Sequence, residues 1–476
     1  MKTNKYRPQI HFAPQRGWIN DPNGLVYDEF TKTYHLFVQY SKDVENNGIF
    51  GWLHATSKDL INWEEIDVPI LSNSKGAAWS GGAVLDRNNT SGLFNESIPS
   101  GSRMICFVTY QSNNPKIGIV YSLDFGKTWL EYGRFVIENE DNKYSNEFRD
   151  PKVIWYENAL LPNGGKWLLI VGGFTTIKLF SSSNLLDWTF ESEVLDINGK
   201  TVNSECPDIL KMFLDGNSNV VKYVVVTAGT SYIVGNLSII NNKIVFKGEQ
   251  EAKPLFKGPS LWTNKGELYA TQSFFNDENH RTILMSWVVD RTAAKTADKN
   301  WNGFESLPLE AKLQTRDKET LLNLYPVEEL DYQRGKTLLD IQDYLLTKDS
   351  FVVIKNTNNK YDFEIEIETK KTDGFVIFFG KSSEKSPKLI YESTNHVLRY
   401  IPSADDDYEI CDVVLSQKDI LKLRIIMDVD VAEIYINDGE TNFHTLAFLD
   451  GDDLEIKSLG CEIKIVKARM YSFKDI

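Results

Sequence analysis

A recurrence is the strongest constraint on this chain. The run His54-Ala55-Thr56-Ser57-Lys58-Asp59-Leu60-Ile61-Asn62-Trp63 is echoed by Val120-Tyr121-Ser122-Leu123-Asp124-Phe125-Gly126-Lys127-Thr128-Trp129 and by Phe180-Ser181-Ser182-Ser183-Asn184-Leu185-Leu186-Asp187-Trp188. Each reads as the end of a short strand, then Ser, a polar turn and a Trp, and the three Trp residues stand 66 and 59 positions apart. A second series keeps step with the first. Apolar runs begin near Asp21, Ser80, Asp150, Glu205 and Tyr269, at intervals of 59, 70, 55 and 64 residues. A period of this size implies a repeated supersecondary unit.

Short β-type runs fill the intervals, among them Tyr34-His35-Leu36-Phe37-Val38, Met104-Ile105-Cys106-Phe107-Val108, Trp167-Leu168-Leu169-Ile170-Val171 and Tyr223-Val224-Val225-Val226. No long amphipathic helix is visible before about residue 330. Five units, each with room for about four short strands, predict a five-bladed β-propeller over residues 1–330. A pair of β-sandwiches is the competing arrangement. In a propeller the first strand of each blade lies nearest the axis, so Asp21, Asp150 and Glu205 are expected to converge at one mouth of the central channel, where function collects.

The pattern changes after Pro326. Residues 331–349 read as a short, partly helical linker. Beyond them Tyr361–Glu368, Gly374–Phe379, Leu421–Met427 and Ala432–Ile436 alternate apolar with polar residues, the mark of half-buried antiparallel strands. Asn437-Asp438-Gly439 is a hairpin signal. Cys461 to Phe473 is a further strand pair or one long strand. Residues 350–476 are therefore expected to form a β-sandwich, and the whole chain is all-β.

At 476 residues the chain is too long for one ordinary core. Its net charge of −15, with no basic patch, argues against nucleic acid and anionic membranes as partners. Met1–Arg7 is basic but no apolar run follows, which suggests a cytoplasmic chain. Asn88, Asn89, Asn95 and Asn236 each begin an N-x-S/T sequon, which keeps a secreted protein open. Cys106, Cys206, Cys411 and Cys461 are scattered, without the spacing of a zinc site or a disulfide framework. No His/Asp/Glu cluster has metal-ligand spacing, so neither a metal nor a cofactor is expected.

Chemistry concentrates where a carboxylate precedes Pro. In Gly17-Trp18-Ile19-Asn20-Asp21-Pro22-Asn23-Gly24, Pro22 biases Asp21 toward an extended backbone, and Asn23-Gly24 supplies a turn. Arg149-Asp150-Pro151 places its carboxylate in the same way, and Glu205-Cys206-Pro207 sets one close to a Pro; each leads into an apolar run. Three such sites suggest a carboxylate-lined sugar site, and the chain's 11 Trp suit sugar faces as well as core filling.

These motifs, with Phe37-Val38-Gln39-Tyr40, His54-Ala55-Thr56-Ser57, Trp79-Ser80-Gly81 and Ser306-Leu307-Pro308, occur in an order that resembles the invertase family, glycoside hydrolase family thirty-two. The stretch Asp86–Asn95 and the Ile436–Gly439 turn look closest to yeast-type invertases. The resemblance implies a five-bladed propeller followed by a β-sandwich, and a retaining β-fructofuranosidase acting on sucrose or short fructans. It implies Asp21 as nucleophile, Glu205 as acid/base and Asp150 as a carboxylate that binds fructose hydroxyls. Hydrolysis with retention needs two carboxyls about 5–5.5 Å apart, one to attack the anomeric carbon and one to protonate the leaving oxygen. Trp18, Ile19, Asn20, Gln39, Trp52, Trp79, Ser80, Arg149 and Trp301 are the expected substrate-binding positions. For the Trp residues core packing is the alternative reading; His11 and His54 fit strand packing better than catalysis. Cys206 reads as a residue tuning the surroundings of Glu205.

The chain departs from the family pattern at Leu53, where Gly is usual, at Ser204, where an aromatic is common, at Leu309, where Arg is often found, and before Tyr269, where an Asp is missing. These departures leave aglycone preference open. A fructosyltransferase using the same carboxyls is one alternative, and an inactive sugar-binding propeller is another. The expected partner is a small sugar, with a homo-oligomer formed through the sandwich as a further expectation.

Overall fold

Local side-chain bonds explain the recurrence. Ser57, Ser122 and Ser182 each donate a hydroxyl hydrogen bond to the residue two positions on, Asp59 at 3.0 Å, Asp124 at 2.9 Å and Asn184 at 3.0 Å. The residue immediately after each acceptor takes a left-handed backbone in all three turns: Leu60 at φ 66°, Phe125 at 65° and Leu185 at 64°. Turns closed by Ser and Asx side chains mimic a backbone turn. Trp129 and Trp188 then return their indole N–H to the turn carbonyls of Gly126 and Leu185.

The computed structural model describes residues 7–474 apart from 46–47, 145, 174–175, 203, 229, 258–264, 291–299, 349, 356, 371, 382, 384, 403–410, 448 and 450. The basic start Met1–Tyr6 lies outside the described residues. Five antiparallel sheets succeed one another along the first part of the chain. The first is built on Gly17–Asp28, Thr33–Ser41, Gly51–Ser57 and Trp63–Glu65. The second sets Ala77–Trp79 and Ala83–Leu85 against Met104–Gln111, followed by Lys116–Tyr121 and Leu130–Ile137. The third runs from Arg149–Glu157 to Thr189–Glu193, the fourth from Pro207–Phe213 to Lys243–Gly248, and the fifth from Lys265–Ser273 to Glu319–Pro326. These are the five blades of a propeller. Trp301–Asn302 pairs in parallel with Gly17 and Trp18, joining the last blade to the first.

Buried polar groups tie the blades together near the axis. Asn23 Oδ1 accepts the Gly81 N–H at 3.0 Å, linking blades one and two. Gly81 has no room for a side chain: a Cβ there would lie 1.9 Å from the Phe107 carbonyl oxygen. Lys152 of blade three donates to the Ser273 carbonyl of blade five and lies 3.6 Å from Asp208 of blade four. Asp208 in turn accepts the Ser273 N–H at 2.6 Å.

The last part of the chain is a β-sandwich of two six-stranded sheets. The alternation in Lys360–Glu368 and Ile420–Asp428 sends Phe363, Ile365, Ile367, Leu423, Ile425 and Met427 into a core shared with Phe375, Ile377 and Phe379 of the facing sheet. Ile463–Phe473 is one long strand. The expected linker over 331–349 is corrected. Only Glu328–Gln333 is a short 3₁₀ turn; Arg334–Leu346 is a 13-residue strand at the edge of the sandwich, paired with Ile463–Phe473. Many of its side chains are exposed, and the ladder hydrogen bonds hold it together with Leu338, Leu339, Ile341 and Leu346, which pack on the sandwich core. Among the described residues no helix is long and apolar enough to cross a membrane.

His11 belongs to the contact between the two parts of the chain, and to no strand, which corrects the strand-packing expectation. Its Nδ1 lies 2.8 Å from Asp428 and its Nε2 3.2 Å from Glu433, both on the sandwich. Asp428 also accepts the backbone N–H groups of Gln9 and Ile10. Burial works against a charge on His11, but the hydrogen bonds to Asp428 and Glu433 carry its pKa up to about 9. His54 packs as expected, its ring stacked on Phe37 with centroids 4.3 Å apart.

Candidate active site

The first strand is interrupted in three blades by a break in its ladder, each time at or beside a residue that lines one cavity. In blade one the register jumps from Ile19↔Tyr40 to Pro22↔Val38, so Asn20 and Asp21 together oppose Gln39. In blade three it jumps from Arg149↔Gly172 to Lys152↔Ile170 around Asp150 and Pro151. In blade five it jumps from Tyr269↔Trp287 to Gln272↔Met285 around Ala270. These are β-bulges, which re-aim side chains beside functional sites. Pro cannot donate to a ladder, which places Pro22 and Pro151 at the breaks. Asp150 at φ 63°, Cys206 at 37° and Ala270 at 52° hold left-handed backbones, each at a cost of about 1–3 kcal/mol.

The bulges and the turn before Pro207 bring Asp21, Asp150 and Glu205 to one cavity of about 260 Å³, lined also by Asn20, Gln39 and Trp79. Asp21 Oδ2 accepts the Ser80 hydroxyl at 2.6 Å and lies 3.4 Å from Gln39 Nε2 and 3.6 Å from Cys206 Sγ. Burial pushes the Asp21 carboxyl above the ordinary Asp range; the Ser80 hydrogen bond opposes this and the negative Glu205 adds to it. Asp150 Oδ2 accepts the Cys206 N–H at 2.9 Å, and its own N–H donates to Thr109 Oγ1 at 2.9 Å. Burial carries Asp150 up to about 7, against the pull of Arg149 and with a push from Asp21. Arg149 bonds the carboxylates of Glu205 and Glu147 and lies over the Trp79 ring, 5.6 Å from its centroid. Glu205 Oε2 also accepts the Tyr269 hydroxyl at 2.7 Å.

Other expected positions stand differently. Ser80 is fully buried and reaches the cavity through its bond to Asp21. Trp18 packs edge-on against Trp287, 5.9 Å between centroids, behind the cavity wall. Trp18, Ile19, Trp52 and Trp301 are corrected: none lines the cavity. Ile19 belongs to the core between blades, Trp52 packs on Phe37 and donates its indole N–H to the Trp79 carbonyl, and Trp301 packs with Ala13, Leu268 and Val288. Bulky apolar side chains on inner strands fill the space between blades, and that packing takes precedence over the funnel.

Tyr269, Trp287 and Ile49 line the cavity without having been expected as site residues. The signal for Tyr269 was present in the blade period, which puts it 64 residues after Glu205. Cys206 is buried with its Sγ 3.6 Å from Asp21 Oδ2 and 3.5 Å from Asp150 Oδ2, so it touches both Asp carboxylates. Among the described residues no group of three or more His, Cys, Asp or Glu is placed to hold a metal ion.

Three carboxyls delivered by three blades, with an Arg and several hydroxyl donors between them, are the equipment of a glycoside hydrolase. Residues 11–326 match the glycosyl hydrolases family 32 N-terminal domain, and residues 333–472 match the glycosyl hydrolases family 32 C terminal. The chain belongs to this family. It is 29% identical over 503 residues to a levanase of Bacillus subtilis (strain 168), covering 99% of this chain and 71% of that protein. It is 28% identical over 499 residues to an invertase of Debaryomyces hansenii, covering 94% of this chain and 88% of that one. A fructofuranosidase from Schwanniomyces occidentalis, solved with fructose, superposes with a TM-score of 0.84 at 25% identity over the whole of both chains.

Proposed function

We propose that this enzyme removes terminal β-fructosyl units from sucrose and short fructans, with retention, using Asp21 as nucleophile and Glu205 as acid/base. The observation that carries the reading is the convergence of Asp21, Asp150 and Glu205 on one cavity. The names of the levanase and the invertase support the substrate class. Asp21 is bonded by Ser80 and steered by Gln39, which fixes one oxygen and leaves the other for attack. Glu205 is held from two sides by Arg149 and Tyr269, a fixed position for protonating the leaving oxygen and then activating water. Asp150, on its strained backbone, is set to bond sugar hydroxyls, and Trp79 offers a ring at the cavity wall.

Incubation with sucrose, with free fructose measured against free glucose, tests the reading. Equal amounts support hydrolysis. Glucose in excess means that a sugar acceptor replaces water on the same intermediate. Release of neither sugar overturns the proposal.

A further inference from the structure

Among the described residues, Glu305 is a carboxyl with nothing to bond. It lies on the two-residue strand Phe304–Glu305, opposite Trp287 in an antiparallel pair. Opposed residues of such a pair share a face, and Trp287 lines the active-site cavity. Glu305 is fully buried, and neither Oε1 nor Oε2 has a hydrogen-bond partner among the described residues. The charge of Asp21 reaches it.

Among the described residues the neighbouring elements bring it no cation. The first strand carries Asp21, the phenol of Tyr27 and, at its far end, Asp28, which is taken up by the N–H groups of Phe30 and Thr31 and by the Ser102 hydroxyl. The leading segment, whose Phe12 carbonyl accepts the Glu305 N–H, carries Arg7 and His11. Arg7 donates to the carbonyls of Ala13 and Pro14. His11 has Asp428 on one ring nitrogen and Glu433 on the other. On Thr282–Asp290 the described side chains are uncharged.

An isolated carboxylate in such a place is strongly disfavoured unless it takes a proton. Asp21 has Ser80, Gln39 and Cys206 as donors, whereas Glu305 has none. When two carboxyls share one field, the proton settles on the one without donors. We infer that Glu305 is a positioning residue for the reaction: it holds a proton behind the nucleophile, stays neutral itself and leaves the negative charge on Asp21. Burial, reinforced by Asp21, pushes the Glu305 carboxyl well above the usual range. The inference rests on Asp21 being the nucleophile. Esterification of Asp21 removes its charge and loosens the hold on the Glu305 proton; hydrolysis restores both.

Glu305→Gln, a neutral isostere, tests this through three readouts. An infrared difference spectrum, wild type minus variant at neutral pH, should show the C=O band of a carboxylic acid. Carboxylate bands in its place overturn the inference, whatever the enzyme's substrate proves to be. The acid limb of kcat/KM, set by Asp21, should stay in place, because both side chains are neutral where Asp21 titrates. A fall of about one pH unit would mean that a negative charge had been removed, and overturns it. For stability the sign is fixed: a carboxyl protonated in the fold and ionised when unfolded costs more as pH rises. Glu305→Gln should therefore melt further above wild type near pH 8 than near pH 5, by several degrees. Parallel curves overturn the inference. Glu305→Asp should restore the infrared band, and Glu305→Met serves the same comparisons where the amide does not fold.

Discussion

The Ser80 hydroxyl, on blade two, donates to Asp21 Oδ2, on blade one, at 2.6 Å. The bond crosses from one blade to the next and favours the ionised form of a carboxyl that burial pushes the other way. Ser80→Ala removes it. Hydrogen bonds to charged groups contribute about 1.5–3 kcal/mol, so the acid limb of kcat/KM should move up by roughly one to two pH units. A pH–rate profile with an unmoved acid limb would show that Ser80 does not control Asp21.

Tyr269 holds Glu205 Oε2 from blade five at 2.7 Å. Tyr269→Phe keeps the ring in its apolar setting with Trp18 and Trp287 but deletes this donor. We expect kcat to fall on the order of tenfold, with little change in melting temperature. The check is steady-state kinetics beside a thermal melt. A variant with wild-type kcat removes Tyr269 from the acid/base machinery.

The blades were legible because their turns are closed by local side-chain bonds, and such bonds leave a motif. The Asx stands two residues after the Ser in each turn and a Trp follows the Ser by six or seven, and prolines mark the ladder breaks at Asp21 and Asp150. What long-range packing decides was not legible. An indole on an inner strand reads the same whether it faces a sugar, as Trp79 is placed to do, or fills the gap between blades, as Trp52 and Trp301 do. The edge strand Arg334–Leu346 puts Leu338, Leu339, Ile341 and Leu346 on the core at irregular spacing, so no apolar alternation announces it. Glu305 is an ionisable side chain buried without a partner among the described residues, which no pattern rule would place inside.

Asp21 and Glu205 should fail differently. Asp21→Ala removes the proposed nucleophile, so every substrate should lose activity by several orders of magnitude in kcat. Glu205→Ala leaves the nucleophile but removes leaving-group protonation and water activation. Sucrose should then be nearly inert, while a substrate with an activated leaving group still forms the fructosyl intermediate, which accumulates. Azide needs no general base and should restore turnover as a β-fructosyl azide. Azide rescue of Asp21→Ala with retention would mean that the roles are misassigned.

The His11 contact makes stability depend on pH in a known direction. Its pKa is raised in the fold to about 9, against about 6.5 for an unperturbed His. A group raised in this way stabilises fully below the unfolded value, and the stabilisation is lost as pH rises through the folded one. The contact between propeller and sandwich should therefore hold at pH 6 and weaken between about pH 6.5 and 9. His11→Ala leaves Asp428 and Glu433 facing a gap, where the loss of one partner of a buried pair costs about 3–5 kcal/mol. It should lower the melting temperature most at acidic to neutral pH and remove the part of the pH dependence that ends near pH 9. Calorimetric melts of wild type and variant across that range decide the matter. If the two curves run parallel, the protonated His11 is not what joins the two halves of the chain.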